Sequence, residues 1–477
     1  MIPWALTRRS VRSASFPRRI LSHRRTIMTA NIEDARSKVA DLVKFDILTP
    51  TQAEDNAKQI RDMGRCFISD TITVPSKEMY EYAVQASLGD DVYHEPSTIA
   101  LEAHMAQLTG KEAALFMPSG TMSNQIALRT HLKQPPYSVV CDHRAHINKY
   151  EAGGAAFHSG AHLITAIPSN GRIHRFCRTG GIADRYIHLA GHHLTLEDVQ
   201  DFVVTGTDLH FAPTEIIELE NTLNGTIIPQ DEVIRISDYA HSQGIKMHLD
   251  GARIWHVAAE TGTPLSGLCA PFDSVSLCFS KGLGAPIGSC LVGRKEFITK
   301  ARWFRKLFGG GMRQTGILAA SAAYALTYNF PKLPHVHTLA QRLEQGLRDL
   351  GAEITSAAET CMVCIPLPPS LTSPLNLALL LLGCVPQVFY DPSPLGLDYA
   401  EIAERGSQLP EHLTLGGSRL VVHIQTTEQA VDDFLALIRT LAEEKRKAGF
   451  VRPESKPQTN GRPKDIYVRP QKKQTMA

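Results

Sequence analysis

HLDGAR, residues 248–253, and SLCFSKGLGAP, residues 276–286, decide how this chain is read. Each opens as a short apolar run and closes on a charged residue. Ile245–Leu249 leads into Asp250, and Ser274–Cys278 leads, two residues on, to Ser280 and Lys281. Ala113–Met117 and Glu215–Leu219 repeat the pattern, with helix-like segments between, from about Met79 to Ala325. Strand-length runs alternating with helical stretches predict an α/β domain with a largely parallel sheet. In such open sheets, sites lie beyond the carboxyl ends of the strands, which is where Asp250 and Lys281 stand. A second lobe is expected from Pro331 through a helix over Val431–Lys445. No internal repeat is evident.

The chain has 477 residues, 43% of them hydrophobic, enough for a large core in two globular lobes. Its 50 basic and 48 acidic residues leave a formal charge of +2, so no global field points to nucleic acid or an acidic partner. Nine cysteines, an odd number spread from Cys66 to Cys384, read as reduced thiols and not as a secreted disulfide framework. No run reaches the roughly 18 to 20 apolar residues of a membrane span. Residues 1–27 hold seven arginines and no acid, as in a mitochondrial transit peptide. Met28 is the alternative start, so the expected location is cytoplasmic or mitochondrial. Residues 28–64 form an N-terminal segment, 65–330 the large domain, 331–445 the small one and 446–477 a basic disordered tail.

A carboxylate ending one strand and a lysine following another, 31 residues on, are what pyridoxal 5′-phosphate (PLP) chemistry requires. Asp250 would keep the pyridine nitrogen protonated, making the ring an electron sink, and Lys281 would form the Schiff base. Alone, such an Asp is more often a turn residue and such a Lys is usually solvated. PSGTMSNQIALRTHL, residues 118–132, places Gly120 and Thr121 at the start of a helix, where backbone N–H groups suit a phosphate. An ordinary capped helix would look the same in isolation. Ser280 could add a contact. His188, His192, His193 and the lone pair Cys361 and Cys364 make no coherent ligand set, so no metal is expected.

SDT (69–71), GDDVYHEPS (89–97), GKEAALFMPSGTMSNQ (110–125), AHINKYEAGG (145–154), LENT (219–222), HLDGAR, SKGLGAPIGS (280–289) and GGGMRQTG (309–316) then fall into a known order. From about residue 65 to 330, and again at SRLVVH (418–423), the chain resembles the low-specificity L-threonine aldolases. The resemblance implies a PLP enzyme of fold type I, with a mostly parallel seven-stranded sheet in its large domain and a smaller C-terminal α/β domain. It also implies a homodimer or homotetramer with shared active sites, acting on a small amino acid. By position it makes Lys281 the Schiff-base lysine and Asp250 the ring-nitrogen partner, and puts Arg253 near the ring oxygen O3′ and substrate. His146 would stack on the ring, Gly120 and Thr121 would take the phosphate, and Ser69, Arg313 and Arg419 would lie at the substrate. His146 and His210 are the two candidate bases. Ile68 and Leu223 depart from the arginine and histidine common in the family at those places. Alanine racemisation and β-elimination, which would use the same lysine, aspartate and arginines, are the alternatives.

Two segments do not fit. Residues 172–191 separate PSNG from HHLTLEDVQ, which would join as a turn into a helix. Residues 364–387, rich in proline and leucine, divide Ala358–Val363 from Val388–Tyr390, which together read as one strand. Both are expected to be insertions such as retained introns, with surface loops as the alternative. An inactive product follows if they are real and break the fold. Tryptic peptides recovered from both would refute the intron reading.

Overall fold

The computed structural model describes residues 32–45, 47–134, 136–169, 193–206, 208–354, 390–417 and 419–451, plus the residue pairs 173–174, 187–188 and 362–363. Two compact units divide the chain, 1–58 and 59–477. The described part of the first holds a helical, exposed stretch at 32–43.

The second unit carries a seven-stranded sheet made of β1 (Ala113–Met117), β2 (Ser138–Asp142), β3 (His162–Ala166), β4 (Thr214–Glu220), β5 (Lys246–Asp250), β6 (Ser274–Cys278) and β7 (Ser289–Gly293). Their order across the sheet is β1-β7-β6-β5-β4-β2-β3. All neighbours run parallel except at β7, which is antiparallel to both β1 and β6. The sheet is therefore mostly parallel, as expected. All four strands expected from the apolar runs form, each within a residue of its expected ends.

Strand alternation sorts the side chains of β4 and β5. Ile217, Leu219, Met247 and Leu249 join the largest apolar cluster on one face of the sheet. Glu218 and Glu220 then turn to the opposite face, in register with His248 and Asp250. Helix α1 (Gly120–His131) covers that face with an unusually polar buried side, Ser123, Asn124 and Gln125. Helix α2 (Ile254–Thr261) follows Asp250 after one short turn.

A second apolar cluster joins Phe67 to α3 (Leu333–Leu350), to Leu420 and Val421, and to α4 (Glu428–Lys447). Enclosing each Leu, Ile or Phe side chain there stabilises the fold by roughly 1.5 to 3 kcal/mol. The last helix is longer than expected, starting three residues earlier and running two further. Its Thr427 cap supplies the start signal, accepting the Ala430 N–H.

Most of 172–191 and all of 364–387 lie outside the described residues. At the first, the Ser169 N–H donates to Asp198 in the capping box of helix Leu196–Phe202, so the flanks meet as a turn into a helix. At the second, the single-strand expectation is corrected. Met362–Val363 pairs with Leu420–Val421, whereas Tyr390–Asp391 pairs with Glu353–Ile354. With 26 residues between them, 364 to 389, each half finds its own partner strand.

Candidate active site

The carboxyl ends of β4, β5 and β6 converge on one polar cluster. Asp250 closes β5, almost fully buried. Its carboxylate accepts the Ala252 N–H at 3.0 Å and an Asn124 amide hydrogen at 2.7 Å. Burial by itself pushes this carboxyl up. Lys281, His146 and the two hydrogen bonds outweigh that and leave it below its ordinary value.

Lys281 follows β6 on a turn closed by the Gly284 N–H bonding the Lys281 carbonyl at 2.8 Å. Ser280 sits beside it, and both are partly exposed. At the start of α1, Ser119 caps the helix through the Met122 N–H, and the remaining first-turn N–H groups have no acceptor within the helix. Gly120 is needed for proximity, because a Cβ there would lie 2.6 Å from Cys278 Sγ.

His146 stands at the edge of the cluster, its Nδ1 donating to Glu151 at 2.8 Å and its backbone N–H to Glu220 at 2.8 Å. Burial would lower this imidazole. The Glu151 hydrogen bond and the Asp250 and Glu220 carboxylates reverse the effect and raise it. Burial and the charge of Asp250 push Glu220 up to about 7. Glu218, wholly enclosed, has no hydrogen-bond partner among the described residues, and burial drives it well above its ordinary value.

Across the site, Ser69 caps a short turn by accepting the Thr71 N–H. Asp70 beside it is held by a bidentate Arg253, at 2.6 and 2.8 Å. Burial raises Asp70, but Arg253 and Lys281 bring it far below its ordinary value. Thr73 donates to the Lys281 carbonyl at 3.2 Å, tying this segment to the lysine turn. Arg419 arrives from the C-terminal part of the chain and donates to the Ile68 carbonyl at 3.2 Å.

Asp250, Lys281, His146, Gly120, Thr121, Ser280, Ser69, Arg253 and Arg419 thus stand on the strand and helix ends around this cluster. The described contacts do not bring His210 or Arg313 into it. His210 is exposed in a turn, where Asp208 binds both its ring and its N–H. Arg313 is exposed and reaches Asp90 at 3.5 Å. Asn124, Glu151, Glu220 and Asp70 received no role from the sequence. Spacing held a signal for Asn124, which lies one helical turn after Gly120.

The donor set suits PLP: a buried anion for the ring nitrogen, an amine on the adjacent strand end and a helix start for the phosphate. His146, Glu151 and Asp250 also bring ligand atoms within 4.8 Å of one another, as a metal would need. The shared donors, Asn124 to both acids and His146 to Glu151, already occupy those atoms.

Fold and site together define a PLP-dependent lyase of fold type I. The family model described as beta-eliminating lyase matches residues 67–367, and the chain belongs to that family and, within it, to the low-specificity L-threonine aldolases. A probable low-specificity L-threonine aldolase of Schizosaccharomyces pombe is 39% identical over 391 residues, 82% of this chain and 90% of the relative. The low specificity L-threonine aldolase of Saccharomyces cerevisiae is 45% identical over 302 residues, 63% of this chain and 73% of its own. An alanine racemase of Cochliobolus carbonum, TOXG, is 36% identical over 314 residues, 64% and 76% of the two chains. Among solved structures, Leishmania major threonine aldolase superposes with a TM-score of 0.59 at 18% identity, covering 79% of this chain and 99% of that one. That likeness concerns the fold.

Proposed function

We propose that the protein cleaves the Cα–Cβ bond of L-threonine and L-allo-threonine, giving glycine and acetaldehyde, and accepts related β-hydroxy-α-amino acids. The observation that carries this reading is a buried Asp250 carboxylate, hydrogen-bonded by Asn124 and the Ala252 N–H at the end of the strand next to the one that leads to Lys281, with an oriented imidazole, His146, at the same strand ends.

Bound PLP supplies an electron sink for the pair released at Cα. Lys281 would hold the cofactor covalently, Asp250 its ring nitrogen, and Gly120, Thr121 and Ser280 its phosphate. Arg253, already fixed by Asp70, would present its remaining face near O3′ and the substrate. Ser69 and Arg419 would bind the substrate carboxylate, fixing which Cα bond is broken. His146 would stack on the ring and is the favoured base for the β-hydroxyl proton, because Glu151 locks its orientation. His210 is the second candidate base, and Arg313 a further substrate contact.

The test is to supply L-threonine, L-allo-threonine and L-alanine to the purified protein and measure acetaldehyde, glycine and D-alanine. Acetaldehyde and glycine in equal amounts are expected. D-alanine without acetaldehyde would favour the racemase reading, which the TOXG relative motivates. His146→Phe should depress cleavage more than His210→Ala, and the reverse order would move the base to His210.

The reading includes a homodimer or homotetramer. Leu88 and Tyr93 are 94% and 81% exposed, and Tyr82, Tyr324 and Tyr328 form a partly exposed ring cluster; such apolar surface suits a second copy. Light scattering reads the assembly. Among the described residues no helix is long and apolar enough to cross a membrane. The arginine-rich leader favours mitochondrial import if translation starts at Met1 and a cytoplasmic enzyme if it starts at Met28, which N-terminal sequencing distinguishes.

A further inference from the structure

Behind Asp250 a line of hydrogen bonds crosses the polar face of the sheet, and its polarity can be worked out link by link. Asn124 Nδ2 lies 2.7 Å from Asp250 and 2.9 Å from Glu151. Carboxylates only accept, so both amide hydrogens point to them and Asn124 Oδ1 is left to face His248 Nε2 at 3.2 Å. His248 Nε2 therefore carries a proton. Burial holds this histidine down at about 4, so it is neutral and its Nδ1 is bare. Ser274 Oγ, 2.8 Å from that Nδ1, must donate to it. Its lone pairs then face His131 Nε2 at 2.7 Å, which must be the donor. His131 is stacked on Phe297 at 4.3 Å between ring centres.

Every link in this chain points its hydrogen toward Asp250. We propose that His131, Ser274 and His248 are positioning residues that act through Asn124 to keep Asp250 anionic, and so set the charge at the nitrogen of the bound pyridoxal ring. A line of aligned donors stabilises a charge cooperatively in a dry interior. Among the described residues the hydrogen bonds to the Asp250 side chain come from an amide and a backbone N–H, both neutral, which leaves its charge to pair with the ring. The inference rests on the proposed role of Asp250.

The test uses full-length protein loaded with PLP. His131→Phe keeps the aromatic stack but removes the donor at the far end; His131→Gln restores a donor; Ser274→Ala cuts the middle. Cofactor retention on dilution, the visible absorption band, and thermal midpoints with and without PLP are compared. Both cutting variants are expected to weaken retention by about 3- to 10-fold, the scale of one buried hydrogen bond. They should also shift the band and shrink the midpoint gain from PLP, and His131→Gln should restore all three. Retention and band unchanged in both variants would overturn the relay, as would equal midpoint losses with and without PLP. If the unsubstituted protein takes up no PLP, the proposed function falls with it.

Discussion

Asp70 and Asp250 are both buried carboxylates held below their ordinary value, yet they are held differently. Asp70 is gripped by two arginine hydrogens, and its charge is neutralised in place. Among the described residues the Asp250 side chain is hydrogen-bonded by neutral groups, an amide and a backbone N–H, while Lys281 and His146 act on it through their charge. A contacting cation consumes an anion, whereas neutral donors stabilise it and leave it able to pair with something else. The first arrangement builds a wall of the site by fixing Arg253. The second leaves a charge for a cationic ring nitrogen.

That contrast can be broken directly. Asp250→Asn should reduce cleavage by about two to three orders of magnitude, the usual cost of losing one preorganised electrostatic partner, while the protein stays folded. Equal loss of fold and activity would make Asp250 a structural residue like Asp70. Asp70→Asn should destabilise the protein by about 3 to 5 kcal/mol in denaturant unfolding, because it removes the buried carboxylate that pairs with Arg253. A negligible change would mean Arg253 finds another partner at no cost.

Glu218 sharpens the comparison as a buried carboxyl with no donor among the described residues. Its folded value is raised, so the stability that its proton confers is complete below the unfolded value of 4.5 and is lost as pH rises through the raised folded value. Glu218→Gln should remove that slope, at most about 1.4 kcal/mol per pH unit. Parallel stability curves for the two proteins would show that Glu218 shares its proton with a neighbour.

The strand-end places of Asp250 and Lys281 were legible because each follows an apolar run, and strand ends are where an open sheet presents its chemistry. The four strands were legible for the same reason, as was the largely parallel sheet. Glu151 and Glu218 were not, and Asn124 only through its place one turn after Gly120, because their significance lies in which face of a strand or helix meets which neighbour across 27 to 126 residues of chain. His210 and Arg313 show the converse. Motif position nominated them, while in the folded chain His210 pairs with Asp208 two residues away and Arg313 reaches Asp90, both at exposed positions. The strand divided by residues 364–387 was misread because two short apolar halves look continuous until their partner strands are known.

The most direct measurement is a titration of purified protein with PLP, followed by absorbance and by borohydride fixation with peptide mapping. The account predicts one cofactor per chain, reduced onto Lys281 and lost in Lys281→Ala together with acetaldehyde release from L-threonine. Fixation on another lysine, or cleavage that survives Lys281→Ala undiminished, would contradict it.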